Sequence, residues 1–431
     1  MKKIFAITLG CAKTRVDTEY LLGMLENENI FPVNNPSDAD LLLVNTCSFI
    51  ESARVESIDT ILELLELKQS NQTMCITGCL PSRYGNELKQ EFGDVEIITG
   101  CGDLDKISEF FIKGSGFAVT TNDSWIPDFF IPRKSSLNRY CGYLKIAEGC
   151  DRKCSYCAIP GIRGPQKSLK TDLIISEANH LVQSGLKDIN IIAQDTTSWG
   201  SDTGENLFSL LSELDKISGE HIFRLLYLYP DPKIMKIAEF IDTSEHFAPY
   251  LDIPVQHISD NVLKKMSRGY RGEYAWKMFD TLRKKYPHIY LRTTIMTGHP
   301  GESLEDFNLL KKFIRKISFD HLGVFAYSPE EGTRAYPMSH TSVRSALARK
   351  KSLMELQKTI SRENLLRFRD TTLKILVEEY DEENMIFTGR HSGQAPETDG
   401  IIYLSDGDYK EGTFVDVKIT DTDNYDLVGV M

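Results

Sequence analysis

The chain has 431 residues, too many for one ordinary domain and enough for two or three. Its formal net charge of −12 argues against a nucleic-acid-binding surface over the whole molecule and leaves room only for a local basic patch. Apolar residues make up 41%, ample for buried cores, and nine cysteines, an odd number in a large chain, do not resemble a secreted disulfide framework.

The opening "MKKIFAITLGCA" imitates a signal peptide, but its apolar run is short and Lys13, Arg15, Asp17 and Glu19 follow at once. It reads as the first buried strand. No apolar stretch reaches membrane-span length, so a soluble, cytoplasmic protein with reduced thiols and no membrane partner is expected. Over residues 1–125 the strands "KIFAITLG", "ADLLLVNT", "TMCITG" and "VEIITG" alternate with the helices "DTEYLLGMLENE", "ARVESIDTILELLELKQ" and "SRYGNELKQEF". That alternation predicts an α/β unit with a doubly wound parallel sheet. Gly, Pro, Ser and Asn then break the rhythm, and residues 126–138 read as a linker.

Alternation resumes over 139–368 with "YLKIA", "DINIIA", "IFRLLYL", "YLDIPV", "IYLRTTIMTG" and "HLGVFAYS". Six strand–helix units predict a full or partial barrel of the triosephosphate-isomerase (TIM) type, with its chemistry on the loops after the strands. One helix, "SLEDFNLLKKFIRKI", opens on Ser303 with Asp306 three residues on, a variant capping box. The basic amphipathic helix "SALARKKSLMELQKTISRENLLRFR" closes the region. Over 369–431, short strands split by Gly and Asp turns predict a small antiparallel β-barrel.

The cysteines carry the chemistry. Cys150, Cys154 and Cys157 form C-x3-C-x2-C just past "YLKIAEG", at the catalytic end of a barrel strand. A structural zinc site wants a second pair of ligands, and none is near. Three thiolates on an iron–sulfur cluster would leave one iron open for substrate or cofactor. Tyr156, between the last two, either stacks on what binds there or simply packs. Cys11, Cys47 and Cys79 are distant in sequence, yet each lies past the C-terminal end of a predicted parallel strand. Those ends share one edge of a doubly wound sheet, so the three are expected to meet and hold a second cluster. Cys75 and Cys141 read as packing, and Cys101, although it follows a strand, is expected to have no role.

C-x3-C-x2-C with an aromatic before its last cysteine resembles the signature of the radical S-adenosylmethionine enzymes. Nearly the whole chain further resembles the methylthiotransferases, on "TLGCAKTRVDTE", "LLVNTCSFIESA", "ITGCL", "EGCDRKCSYCAIPGIRG", "LDIPVQHISDNVLKKMSRG", "RTTIMTGHPGES" and "YSPEEGT". This resemblance implies a C-terminal barrel of the kind called TRAM, two 4Fe–4S clusters on the six cysteines, and S-adenosylmethionine completing the open iron of the barrel cluster. It implies replacement of a C–H bond by C–S–CH3. The second cluster supplies the sulfur, one S-adenosylmethionine methylates it, and another provides the radical that removes the hydrogen. The two clusters are expected to face each other across one cavity.

Two branches of that family differ in substrate, an adenosine in tRNA or the β-carbon of an aspartate in small-subunit ribosomal protein twelve. "LGCAK", "EGC", "PVQHIS" and "RTT" resemble the second, RimO-type branch. Residues 370–431 hold fifteen Asp plus Glu against four Lys plus Arg, a net of −11. Such a module would repel phosphates and attract a basic ribosomal protein, so tRNA is the disfavoured partner. Sulfur and electron donors are not identified by the sequence. A non-catalytic iron–sulfur sensor is the rival of another class.

Several residues are open to two readings. Gln194 and Asp195, ending "DINIIA", either hold S-adenosylmethionine or cap a helix. Gly298, with Pro300 and Gly301, either lets the backbone approach the cofactor or makes a plain turn. His257 faces substrate or is structural. Lys13 pairs with a carboxylate or is solvated. Ala12, Thr14 and His299 depart from the "LGCPKN" and "VGFPGE" usual in the RimO type.

Overall fold

A computed structural model describes every residue except 340 and 406. The first sheet contains β1 (Lys2–Thr8), β2 (Ile30–Pro32), β3 (Leu41–Thr46), β4 (Thr73–Gly78), β5 (Ile97–Thr99) and β6 (Gly116–Ala118). All pairs are parallel, in the order β2-β1-β3-β4-β5-β6. The chain reverses its winding between β1 and β3, so a topological switch point lies there. Four helices cover the faces: α1 (Ala12–Asn27), α2 (Glu51–Leu67), α3 (Cys79–Glu91) and α4 (Ile107–Lys113). β3 shows why strands buried on both faces read as unbroken apolar runs. Leu42 and Val44 pack toward α2 and α3, while Leu41 and Leu43 pack toward α1 and α4.

The second sheet takes β7 (Cys141–Lys145), β10 (Asp188–Ile192), β11 (Ile222–Leu225), β12 (Phe247–Asp252), β13 (Tyr290–Thr297) and β14 (His321–Ala326) in that order, all parallel. β8 (Ala147–Glu148) and β9 (Lys167–Ser168) form a short antiparallel pair beyond β7. Six strands with two free edges make a partial barrel. Its outer layer is α6 (Thr171–Gln183), α7 (Leu207–Leu214), α8 (Lys233–Thr243), α9 (Asp260–Lys265), α10 (Gly272–Lys285), α11 (Leu304–Ile317) and α12 (Val343–Leu365), while α5 (Ile159–Arg163) packs against the N-terminal domain. The capping box of α11 forms, with Ser303 Oγ accepting from the Asp306 N–H at 3.1 Å. None of the helices of the described residues is long and apolar enough to cross a membrane.

Outward residues such as Ile189, Phe223 and Leu251 join the helical layer. The inward set includes Tyr143, Leu226, Ala248 and Tyr250, and these are covered by Ala12, Val16 and Tyr20 of α1 and by Ala395. Helix α1 therefore packs on its own sheet through Leu21 and Leu25 and fills the barrel mouth with its other side. A helix buried on both sides has no polar face, which accounts for the buried Lys13, Asp17 and Glu19 along it.

The last region is a closed five-stranded barrel of β15 (Thr372–Asp381), β16 (Ile386–His391), β17 (Ile402–Ser405), β18 (Phe414–Thr422) and β19 (Leu427–Val430). Four seams are antiparallel and the β17–β19 seam is parallel. It docks through charge. Arg390 reaches Asp188 of β10 at 2.8 Å and Glu378 at 2.7 Å, and Asp188 also takes Arg224 at 3.1 Å. Asp399 accepts from the Tyr250 hydroxyl at 2.6 Å inside the barrel.

Residues 126–138 have no regular structure, yet Arg133 within them is fully buried. Its guanidinium joins Glu19 of α1, Glu177 of α6 and the Tyr143 carbonyl of β7. Tyr20 donates to the same Glu177 at 2.5 Å. Removing one partner of a buried ion pair strands the other charge, at a cost of about 3–5 kcal/mol. Arg133→Met is therefore expected to lower unfolding stability by about that amount, read by chemical denaturation. Adding Glu19→Gln to that variant should recover part of the loss, and no recovery would mean the charges are not the cause.

Candidate active site

Glu148 ends β8, and Gly149 turns the chain with φ +76°, where a Cβ would meet the Pro165 carbonyl oxygen at 2.0 Å. Only glycine fits there, and the turn delivers Cys150, Cys154 and Cys157 to one loop above the strands. The loop is held from several sides. Cys150 N–H donates to Gly164 O at 3.1 Å and Ser155 N–H to Met266 O at 2.9 Å. Arg268 Nη1 lies 3.4 Å from Cys154 Sγ, and the Arg152 N–H lies 3.4 Å from Cys150 Sγ. Burial pushes the Cys150 thiol up to about 11 and the Cys157 thiol up to about 12. All three cysteines line a cleft of about 920 Å³ walled also by Arg83 and Tyr84 of α3.

Strand register assembles the other set. Thr8 pairs with Asn45, and Thr46 pairs with Gly78. Cys11, Cys47 and Cys79 thus follow three adjacent strands at one edge, beside the switch point. A Cβ on Gly10 would lie 2.7 Å from Cys47 Cβ, so the segment before Cys11 lies directly against Cys47. Cys11 is the N-cap of α1 and Cys79 the first residue of α3. Helix N-termini favour thiolates through the macrodipole. Thr14 completes the α1 cap, its Oγ1 accepting the Cys11 N–H at 2.9 Å. Cys47 is raised to about 12 by burial, with Cys79 adding to the effect. Cys79 is lowered, first by the Cys101 thiol and then by the Arg163 guanidinium. Cys101, for which the sequence suggests no role, has Sγ 4.0 Å from Cys79 Sγ, as its position after β5 on the same edge allows.

Between the two sets runs a closed charge network. Arg163 of α5 places Nη2 3.5 Å from Cys79 Sγ and Nη1 2.9 Å from both Asp17 and Glu148. Lys145 pairs with the same two carboxylates, at 2.9 Å from Glu148. Opposed cations hold the Glu148 carboxyl well below the usual range despite burial. Ile162 and Ala158, from the loop and helix after Cys157, pack on Cys79 and Cys101. The N-terminal thiols thus abut the barrel's own cysteine loop.

Three family profiles match: the uncharacterized protein family UPF0004 over residues 3–100, the radical SAM superfamily over 144–314, and the TRAM domain over 371–431. The chain is 41% identical over 438 residues to a ribosomal protein uS12 methylthiotransferase RimO from Pelobacter propionicus, covering 99% of this chain and 97% of the relative. It is 41% identical over 432 residues to the RimO of Aquifex aeolicus, covering 99% and 96%. The chain belongs to the RimO family. Among solved structures, the radical S-adenosylmethionine methyltransferase TsrM from Kitasatospora setae with cobalamin and a [4Fe–4S] cluster aligns with a TM-score of 0.60. It is 15% identical, with 78% of this chain and 74% of that one covered, a likeness of fold alone.

The donor sets of this RimO-family chain suit clusters and not single ions. Among the described residues no three His, Cys, Asp or Glu side chains gather tightly enough for one metal ion. A cluster offers each thiolate its own iron, so wider spacing fits it, and soft thiolates select iron–sulfur chemistry over hard cations.

The structure separates the remaining sequence candidates. Gln194 donates to Glu148 through Nε2, and its buried Oε1 has no partner. Asp195 caps the turn at 196–198, accepting from Thr197 N–H at 3.1 Å and from Arg152 Nε at 2.6 Å, so its oxygens are taken by the protein. Gly298, at φ +78°, is required by α12, because a Cβ would lie 2.4 Å from that of Ala346. The Tyr156 ring stands edge-on to His299 at 6.1 Å. His299 Nε2 lies 3.4 Å from Ser155 Oγ, so the histidine braces the cysteine loop. His257 accepts the Ser259 N–H at 3.0 Å, and its Nε2 is buried and unpartnered. Lys13 is not solvated: it is 6% exposed, with Nζ 3.0 Å from the Tyr227 ring centroid. Glu148, Arg163 and Lys145 were quoted in motifs or strands without a role, because their partners lie on other elements.

Two outcomes follow. Reconstituted anaerobically, the chain should hold about eight irons, and Cys79→Ala about four. Cys101→Ala should keep about eight, and a fall to about four would make Cys101 a ligand. Burial lowers His299 to about 4, and His257 and His391 to about 3, by the same cause. Between these values and about 6.5 the unfolded chain binds the extra protons, so stability is full above pH 6.5 and falls as pH drops. His299 alone accounts for roughly 2 kcal/mol at pH 5. His299→Phe should shrink the pH 7.5-to-5 difference in unfolding midpoint of the iron-free chain by that share; an unchanged difference would mean His299 is already charged.

Proposed function

We propose that this chain is the methylthiotransferase that replaces a β-carbon hydrogen of an aspartate in ribosomal protein uS12 by a methylthio group, in the cytoplasm. The observation that carries the reading is the pair of incomplete thiol sets, three cysteines each, joined through Arg163. Cys150, Cys154 and Cys157 would hold the barrel 4Fe–4S cluster and Cys11, Cys47 and Cys79 the second. When bound, these clusters and S-adenosylmethionine supply a hydrogen-abstracting radical on one side and methylated sulfur on the other.

The chain's own residues set the geometry. Arg268 and the Arg152 N–H place positive dipoles on Cys154 and Cys150, which stabilises thiolate charge. Arg163 does the same for Cys79 and, through Asp17 and Glu148, fixes the N-terminal edge against the barrel strand that leads to Cys150. Tyr156, Tyr327 and His299 pack together behind the cysteine loop and keep water from that side. Gln194 Oε1, buried and without a donor, is the acceptor this chain offers to the amino or ribose groups of S-adenosylmethionine.

Docking is assigned to the C-terminal barrel. Glu379, Glu382, Glu383, Asp416, Asp421 and Asp423 are exposed on it. Such a face attracts a basic ribosomal protein and repels tRNA phosphates. Mass spectrometry of uS12 and tRNA from cells with and without this gene tests the substrate: methylthio-aspartate that vanishes with the gene supports the reading, and loss of a methylthio-adenosine instead overturns it. Affinity for uS12 should weaken from 50 to 300 mM salt, and Glu382→Lys with Glu383→Lys should flatten that dependence. A salt-insensitive complex would place docking elsewhere.

A further inference from the structure

Among the described cations near the two thiol sets, Lys13 stands in no ion pair. Asp17 and Glu148 are answered by Lys145 and Arg163, two carboxylates against two cations. Lys13 lies beside this set, two residues after Cys11, and is 94% buried by its 6% exposure. Among the described residues its Nζ joins no ion pair and no hydrogen bond; its contact is the Tyr227 ring at 3.0 Å. A ring face attracts an ammonium but accepts none of its three hydrogen bonds, and a buried ammonium calls for an anion.

The surroundings carry an unused acceptor. Asp252, at the end of β12, takes the Tyr227 N–H on Oδ2 at 3.0 Å, and its Oδ1 is buried without a hydrogen bond. Its nearest ion-pair partner is Arg292, at 3.9 Å. Asp252 sits at the C-terminal end of a barrel strand, the face at which such barrels do chemistry. An unpaired cation with an unused acceptor near it matches a peptide aspartate, which brings one carboxylate and backbone N–H donors. A nucleobase brings no anion, and asparagine brings no charge.

We propose that Lys13 is the counter-ion for the carboxylate of the substrate aspartate, and that this contact selects aspartate and sets its β-carbon between the two thiol sets. The proposal rests on the aspartate reading above. Its location explains the register: Lys13 lies in the first turn of α1, two residues after Cys11, and the Cys11 thiol acts electrostatically on both Lys13 and Tyr227, so a carboxylate held at Nζ lies near the N-terminal thiols. Lys13 is thereby a binding and specificity residue.

The test is binding of the reconstituted full chain to two peptides spanning the uS12 target, one with the aspartate and one with asparagine there. The native chain should prefer the aspartate peptide by at least about tenfold, the scale of one desolvated charge pair. Lys13→Met should bring the two within about twofold of each other, while Lys13→Arg, which keeps the cation, should retain a preference. Iron content of each variant, measured first, reports that the fold and thiol sets are intact. An undiminished preference in Lys13→Met overturns the proposal. So does a weakened affinity for S-adenosylmethionine with the preference unchanged, which would make Lys13 a cofactor contact. An equal affinity of the native chain for both peptides overturns it too, and leaves the aspartate reading to stand or fall on the mass of uS12.

Discussion

Arg163 is the joint on which the arrangement depends. It belongs to the short helix after the barrel's cysteine loop, yet its partners are Asp17 from the N-terminal domain, Glu148 from the barrel and Cys79 at the edge of the first sheet. Without it, two buried carboxylates would face each other with only Lys145 between them, and Cys79 would lose its neighbouring cation. Such networks are seldom a net gain in stability over apolar packing. Their worth is geometric. A charge fork with three fixed partners sets orientation as well as distance, which greasy contacts between two domains do not.

The partial barrel makes this possible. A closed eight-stranded barrel fills its interior with its own side chains. Here six strands leave a mouth wide enough for α1, whose Ala12, Val16 and Tyr20 occupy space that layers of barrel side chains would otherwise take. Polar residues of the inward faces then find partners in other domains, Lys145 in Asp17, Arg224 in the Ser392 carbonyl and Arg292 in Asp399. The same step brings Cys11, at the N-cap of α1, to the mouth. One helix thus packs a sheet, plugs a barrel and presents a thiol.

Long strands and their end residues were legible in the sequence because they depend on local pattern. β1, β3, β4 and the short, fully buried β5 of the first sheet, the six strands of the second and the five of the last are where apolar runs and turn residues place them. β2 and β6, three residues each and only partly buried at the sheet edges, carry too little pattern to stand out. Convergence of Cys11, Cys47 and Cys79 was legible because parallel strands share an edge. The network around Glu148 was not, since its members come from positions 17, 145, 148 and 163 and no periodicity links them. Composition also misleads at Arg133: a stretch rich in Pro and Ser reads as surface linker, while its one arginine is among the most buried charges of the chain. Thr14 shows the reverse case, a departure from the usual motif that a backbone cap explains.

Charge in the C-terminal barrel is divided by the same logic of pairing. Glu378 and Asp399 are turned inward and bound to Arg390, to Arg292 and to Tyr250, so they fasten this domain to the barrel and add nothing to its outer field. Arg390, one of only four cations there, is spent on the same interface. Setting aside these two carboxylates and one cation leaves thirteen acidic against three basic residues in the domain, a net of −10 against the original −11, so the pairing scarcely weakens its outer field. A one-signed surface at a fixed place on a rigid body acts as a guide over about a Debye length, roughly 8 Å at physiological salt. A screened field of this kind does not distinguish one side chain from another, so it can bring a basic partner to the molecule but cannot choose which residue enters. That choice falls to contacts inside the mouth, where a single unpaired cation weighs more than any number of screened charges outside.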